Sequence, residues 1–220
     1  MKPKYFRDRV HAGQLLAAEL VQFAGRSDVR ILGLPRGGVP VAFEIARRLH
    51  APLDVLVVRK IGVPGWEELA MGALATGGIR FINEAVVRNI GVSSHAIEAA
   101  VARELKELQR REIAYRGHTG LPDITGKIVI LVDDGIATGS TLQAAVKAIR
   151  QQGPARVIIA APTASAEACV DLAPLVDRLA VLIQPPEFDS VGQWYDDFSQ
   201  TSDEEVTALL KQARLFKEPA

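Results

Sequence analysis

The chain has 220 residues, 48% of them hydrophobic, enough to bury a full core and to allow one or two domains by length alone. Lysine plus arginine equals aspartate plus glutamate at 26 each, which excludes the global basic field of a general nucleic-acid binder and leaves a small ligand as the expectation. The single cysteine, Cys169, excludes an intrachain disulfide and a multi-cysteine zinc site, and no run reaches the ~18 apolar residues of a membrane span, so one cytoplasmic domain is expected.

The start, M-K-P-K-Y-F-R-D-R-V-H, is charged and has no apolar leader core. Residues 7–25 suit an amphipathic helix, with Val10, Leu15, Leu16, Leu20 and Phe23 near helical spacing and Gly25 as its stop. Arg9 and His11 are within reach of a ligand, although a lone histidine at a helix start is more often a surface residue. Arg30 to Leu34 reads as the first core strand, and Pro35-Arg36-Gly37-Gly38 follows it directly. The next helix, Val39 to Leu49, carries Val41, Ala42, Ile45, Ala46 and Leu49 on one side. Two glycines between a strand end and a helix start let backbone N–H groups turn inward as an anion-binding nest, with Arg36 adding charge; an ordinary glycine turn is the alternative.

Leu53 to Val58 is the second strand, continuous and β-branched, delivering Arg59 and Lys60 to its carboxyl end. Ile61 to Gly77, with Trp66, Glu67 and Glu68, is glycine-rich and weakly periodic and reads as a mobile loop. Gly78 to Ile82 is a third strand, followed by a helical region through Asn89 and a long helix from Ser94 to about Tyr115. Ile97, Val101, Leu105, Leu108 and Ile113 form its apolar stripe, while Glu104, Lys106, Glu107, Arg110, Arg111 and Glu112 mostly belong to a solvated face.

Chemistry concentrates in Lys127 to Thr141, K-I-V-I-L-V-D-D-G-I-A-T-G-S-T. Ile128 to Val132 suit a strand buried on both faces of a parallel sheet. Asp133 and Asp134 end it, and a small-residue loop with Thr138, Ser140 and Thr141 precedes a helix reaching Gln152. A helix N-terminus outside such a strand end presents unpaired N–H groups to an anion. The helix dipole contributes about 0.3 to 1 kcal/mol, whereas each hydrogen bond to a charged group contributes about 1.5 to 3 kcal/mol, so the donors decide. Gly139 allows close approach of the main chain. The paired carboxylates repel each other and a phosphate, and burial without partners costs several kcal/mol per ion, so hydroxyls or a metal-bound ligand must satisfy them. A phosphate beside a vicinal diol describes a ribose 5-phosphate. A P-loop does not fit, because no G-K-[ST] supplies its lysine.

Arg156 to Ala161 is the next strand, Ala166 to Leu172 a helix and Arg178 to Ile183 the last strand, so strands and helices alternate as in a doubly wound parallel α/β sheet. Residues 184–199 gather Phe188, Trp194, Tyr195 and Phe198 in a chain with 5% aromatics. Such rings stack a planar base at about 1 to 3 kcal/mol per contact; core or dimer packing is the rival use. Ser202 and Glu205 form a capping box for a final helix to about Phe216.

V-I-L-V-D-D-G-I-A-T-G-S-T resembles the phosphoribosyl pyrophosphate (PRPP) motif of type I phosphoribosyltransferases, four apolar residues before two acids and a T-G-x-T loop. The resemblance implies a single domain: a doubly wound, mostly parallel core over about 28–185, a lid and helical insertion over about 61–120, and a hood and helix over about 184–220. It implies that Asp133 and Asp134 hold the ribose hydroxyls and that Ala137, Thr138, Gly139, Ser140 and Thr141 wrap the 5-phosphate. Arg36, Gly37 and Gly38 fall at the pyrophosphate loop, and Lys60 at a basic clamp that completes the catalytic set with the two aspartates. The lid would close over substrate, and Phe188, Trp194 and Tyr195 would hold the base; on the long helix the cluster Arg110, Arg111, Tyr115 and Arg116 is a candidate to reach pyrophosphate, with a solvated charged face as the default. Mg²⁺ would come with PRPP, held through water near Asp133 and Asp134 and by no direct ligand. A homodimer is implied, with no nucleic acid or membrane partner. The implied reaction moves ribose 5-phosphate from PRPP to a nitrogen of a nucleobase-like acceptor; a non-catalytic PRPP or nucleotide sensor and a phosphosugar hydrolase are the alternatives. One departure bears on the acceptor: members acting on 6-oxopurines usually have a carboxylate where this chain has Ala137. Adenine-like or unusual acceptors stay open, with Glu67 or Glu68 as a candidate base.

Overall fold

The computed structural model describes residues 5–120 and 122–216; the first four residues of the charged start and the last four of the expected C-terminal segment lie outside the described residues. Aliphatic runs form β1 (Val29–Gly33), β2 (Leu53–Val55), β6 (Ile128–Val132), β7 (Arg156–Thr163) and β8 (Arg178–Ile183), joined in parallel in the spatial order β2-β1-β6-β7-β8. All of β6 is buried, as a strand with helices on both faces requires. Its side chains divide by alternation. Ile128, Ile130 and Val132 pack with α1 (Arg9–Ala18) and α2 (Gly38–Leu49), whereas Val129 and Leu131 pack with α5 (Ser140–Arg150) and α6 (Ala166–Leu172). The expected inward residues of α2 (Val41, Ala42, Ile45, Ala46, Leu49) are all buried, as are Leu142, Ala145, Val146 and Ile149 of α5. The winding reverses between β1 and β6, and that switch point opens a crevice at the carboxyl ends of the two strands.

The segment expected to be a mobile loop is β structure. The Leu56 N–H still donates to the Gly33 carbonyl at 3.0 Å, but the chain then leaves the sheet at Val57, whose N–H is taken by Thr76 Oγ1 at 2.8 Å. The second strand is therefore split, and β3 (Val58–Val63), β4 (Trp66–Ala75) and β5 (Ile79–Ile82) make a separate antiparallel sheet. Ile61, Val63, Met71 and Leu74 are buried with Ala100, Val101, Leu108 and Tyr115 of α4 (Ser94–Arg116) and with Val206 and Leu210 of α7 (Asp203–Ala213). Gly72 lies so close to the Phe81 carbonyl that a methyl group would overlap it. The short α3 (Glu84–Ile90) links this sheet to α4.

The face of α4 expected to be solvated is partly interior. Glu112, 1% exposed, accepts the Gly77 N–H at 2.8 Å, and Glu104 accepts Arg59 Nε and Nη2 at 3.0 and 2.8 Å. Ile113, expected in the apolar stripe, is exposed. The segment before α1 meets the segment after β8: Phe6 forms a bridge with Tyr195, its N–H donating to the Trp194 carbonyl at 2.7 Å. Among the described residues no helix is long and apolar enough to cross a membrane.

Candidate active site

At the switch point the P-R-G-G turn folds over the end of β6. The Leu34 N–H donates to the Val132 carbonyl at 2.8 Å, and the Gly38 N–H returns to the Leu34 carbonyl at 3.0 Å as α2 begins. A methyl group on Gly38 would stand 2.6 Å from the Val132 oxygen, and one on Gly37 would overlap the Asp134 carboxylate. Gly37 has φ −62°, a value any residue adopts, so space and not conformation demands glycine here. The Pro35–Arg36 peptide is cis.

The two acids have unequal surroundings. Asp134 Oδ2 accepts Arg9 Nε at 2.7 Å, and Arg9 is itself held by the Ser199 carbonyl at 2.6 Å and by the Phe198 ring, 3.9 Å from its centroid. The Asp133 carboxylate takes only the Asp134 N–H, at 3.0 Å, among the described residues. Burial, and then the neighbouring Asp134 charge, push Asp133 well above the usual carboxylate range. The Tyr195 hydroxyl donates to the Asp134 carbonyl at 2.6 Å, and burial followed by the Asp134 charge raises its pKa.

Beyond the acids, the loop reaches α5 through Gly139, whose φ of +69° is a left-handed value that glycine tolerates. Thr138 Oγ1 and Ser140 Oγ are 3.1 Å apart, and Ser165 Oγ, the cap of α6, donates to the Ala137 carbonyl at 2.6 Å. Asp133, the loop from Gly135 to Leu142, and Val191 enclose a cleft of about 190 Å³. Val191 rests so close to Gly135 that a methyl group there would overlap it. Backbone donors, hydroxyls and a helix start converge on this cleft, an arrangement suited to a phosphate.

Other expected residues stand elsewhere. Lys60 is exposed on β3 opposite Ala73, because the strand expected to deliver it breaks at Val57, and it lines neither the phosphate cleft nor the cavity beside Arg36. Trp66, Glu67 and Glu68 are exposed at the start of β4. Arg110 and Arg111 meet Arg36 in a separate cavity. The base-stacking role expected of the aromatics is not what the packing supports. Trp194 stacks with Tyr5 at 5.9 Å and with Phe188 at 6.4 Å, and Tyr195 is buried between Phe6 and Phe198. Tyr195 is closed off in the core, while Phe188 and Trp194 stack on each other and stay half-buried. Ser165, Val191 and Asp203 carried no signal in the sequence beyond an ordinary helix cap, an apolar residue and an acid in the first turn of a helix.

No cluster of three histidine, cysteine, aspartate or glutamate side chains is poised for a metal among the described residues. Two carboxylates at a cleft fit an ion that arrives on a ligand's own oxygens.

The profile of the phosphoribosyl transferase domain matches residues 8–171. The chain is 47% identical over 211 residues to Rv0571c of Mycobacterium tuberculosis H37Rv, named as a candidate phosphoribosyl transferase, covering 96% of this chain and 47% of that protein. It thus spans about half the length of that relative. It is 32% identical over 120 residues to the bifunctional protein PyrR of Citrifermentans bemidjiense, 52% of this chain and 60% of that one. The crystal structure of TT1426 from Thermus thermophilus superposes with a TM-score of 0.85 at 42% identity, covering 94% of this chain and 98% of that one. With the domain profile running from the helix that bears Arg9 to the end of α6, the chain belongs to the type I phosphoribosyltransferase family.

Proposed function

We propose that the chain transfers ribose 5-phosphate from PRPP to a nitrogen of a nucleobase-like acceptor with release of pyrophosphate. The observation that carries this reading is the seating of Gly37 and Gly38 on Val132, Asp133 and Asp134, which puts one anion loop on each side of an acid pair at the switch point. The backbone and hydroxyls of Ala137 to Thr141 anchor the 5-phosphate. Asp133 and Asp134 accept hydrogen bonds from the ribose hydroxyls and orient the sugar. The Arg36-Gly37-Gly38 turn receives the negative charge that develops as the C1–oxygen bond breaks, its electron pair leaving with the diphosphate. The acceptor nitrogen bonds C1 and gives up its proton to water. Asp133 and Asp134 would hold Mg²⁺ through water, and the ion, when bound with the donor, would supply neutralisation of the diphosphate charge. Ala137 offers no carboxylate to the acceptor, so adenine-like and unusual bases are tested first.

The experiment is pyrophosphate release from PRPP and Mg²⁺ across purines, pyrimidines and related heterocycles. Release with at least one acceptor is expected. A second reading, a PRPP or nucleotide sensor without turnover, is favoured by the similarity to bifunctional PyrR. Silence across the whole panel, with PRPP still raising the melting temperature, would replace the transferase reading with that one.

A further inference from the structure

Arg9, the first residue of α1, reaches across the fold to the second acid of the pair. Both side chains are nearly enclosed, 12% exposed for Arg9 and 14% for Asp134, and Arg9 Nε donates to Asp134 Oδ2 at 2.7 Å. Gly37 closes in on the same oxygen: a methyl group there would overlap Asp134 Oδ2 and stand 3.1 Å from Arg9 Nε. The main chain of Asp134 is fixed as well, its N–H by Asp133 Oδ1 at 3.0 Å and its carbonyl by the Tyr195 hydroxyl at 2.6 Å. Oδ1 of Asp134 takes no hydrogen bond among the described residues, so it is the oxygen left to accept one from a ligand.

The tail grips Arg9 in turn. Its Nη1 donates to the Ser199 carbonyl at 2.6 Å, and its guanidinium lies over the Phe198 ring, 3.9 Å from the centroid. Phe198 packs on Tyr195 at 5.0 Å, and the Asp196 and Asp197 N–H groups donate to the Phe6 and Arg7 carbonyls at 2.8 Å each, which ties this part of the tail to the start of α1. One planar cation therefore meets a carboxylate, a carbonyl and an aromatic face at once, which the point charge of a lysine does not reproduce. The helix does not depend on this pair for docking, because Ala12, Leu16 and Ala17 already bury it in the core. Without Arg9, Asp134 would lose the cation that opposes its charge beside Asp133, and its carboxylate would be free to turn. An acceptor held in one direction binds a hydroxyl better than one that must first be ordered.

We infer that Arg9 is a positioning residue for the sugar: by holding Oδ2 against Gly37 it presents Oδ1 of Asp134 to a ribose hydroxyl, and Phe198 and Ser199 hold Arg9 in that pose. The inference rests on the donor reading above. Arg9 acts through Asp134 and does not itself touch the ligand.

The test is calorimetric titration, in magnesium buffer, of ribose 5-phosphate and of tetrahydrofurfuryl phosphate, which keeps the ring and the phosphate but lacks the ring hydroxyls. Both are titrated into the full chain, Arg9→Gln and Phe198→Leu, with a thermal melt to verify folding. The full chain is expected to prefer ribose 5-phosphate, and Arg9→Gln to bind it at least about tenfold more weakly, the effect of losing one hydrogen bond to a charged group. The hydroxyl-free ester should weaken by less than about twofold, since the phosphate loop is untouched. Phe198 is 36% exposed, so Phe198→Leu should fold even if Arg9→Gln does not, and it should lose part of the same preference. Equal losses for the two ligands, as a general loosening of the site gives, or a full preference retained in either folded variant, overturns the inference alone. If the full chain itself does not prefer ribose 5-phosphate, the donor reading falls, and the role of Arg9 falls with it.

Discussion

Asp133 and Asp134 are neighbours in sequence, yet Arg9 compensates one and burial penalises the other. The folded-state pKa of Asp133 is raised, so its protonated form adds stability that is fully present below the ordinary carboxylate range and is lost as pH rises through the raised value. Asp133→Asn should therefore raise Tm near neutral pH by about 2–4 °C, the shift that about 1 kcal/mol gives in a domain of this size. Calorimetry should show the gain shrinking in acid, and ribose 5-phosphate should bind more weakly. A gain independent of pH would mean the buried charge is not its source. Gly37→Ala is expected to cost about 1–3 kcal/mol by overpacking, since the methyl group meets the Asp134 carboxylate. Chemical denaturation reads the cost, and donor binding should be lost with it. The acid pair and Gly139 were legible because their meaning is local. Arg9 was legible as a residue near a ligand but not as the partner of Asp134, which lies 125 positions away.

Among the elements, the β3–β4–β5 sheet departs most from expectation. Ala70, Gly72 and Ala73 give β4 little periodicity, and they form a strand because β3 and β5 flank them while Met71 and Leu74 of the same strand pack against α4. Glu112, itself buried, fastens α4 to this sheet by accepting the N–H of Gly77 in an exposed turn. Glu112→Ala should cost about 1.5–3 kcal/mol, the contribution of a hydrogen bond to a charged group, while Glu112→Gln, which keeps an acceptor, should cost less. A urea titration comparing the two separates the lost hydrogen bond from lost charge; equal costs would show that charge matters more than the acceptor.

Across the whole molecule, the segment after β8 is part of the core as well as a cover. Tyr195 belongs to the cluster under α1 and α2, and Val206 and Leu210 belong to the one under α4. Each such side chain contributes about 1.5–3 kcal/mol when buried, against a typical net stability of about 5–15 kcal/mol. A chain ended at residue 185 is therefore expected to show no cooperative melt by circular dichroism; a sharp transition would mean the tail is an appendage. The sequence by itself determined the parallel strands, the faces of α2 and α5, and the acid pair with its phosphate loop, because unbroken apolar runs, helical spacing and a strand-end motif act over a few residues. Only the tertiary structure decided that Lys60 leaves the sheet, that the tail aromatics stack on one another, and that Arg110 and Arg111 come beside Arg36. Those outcomes depend on contacts between segments far apart in the chain, where exposure, burial and shared charge are set by packing that local pattern does not contain.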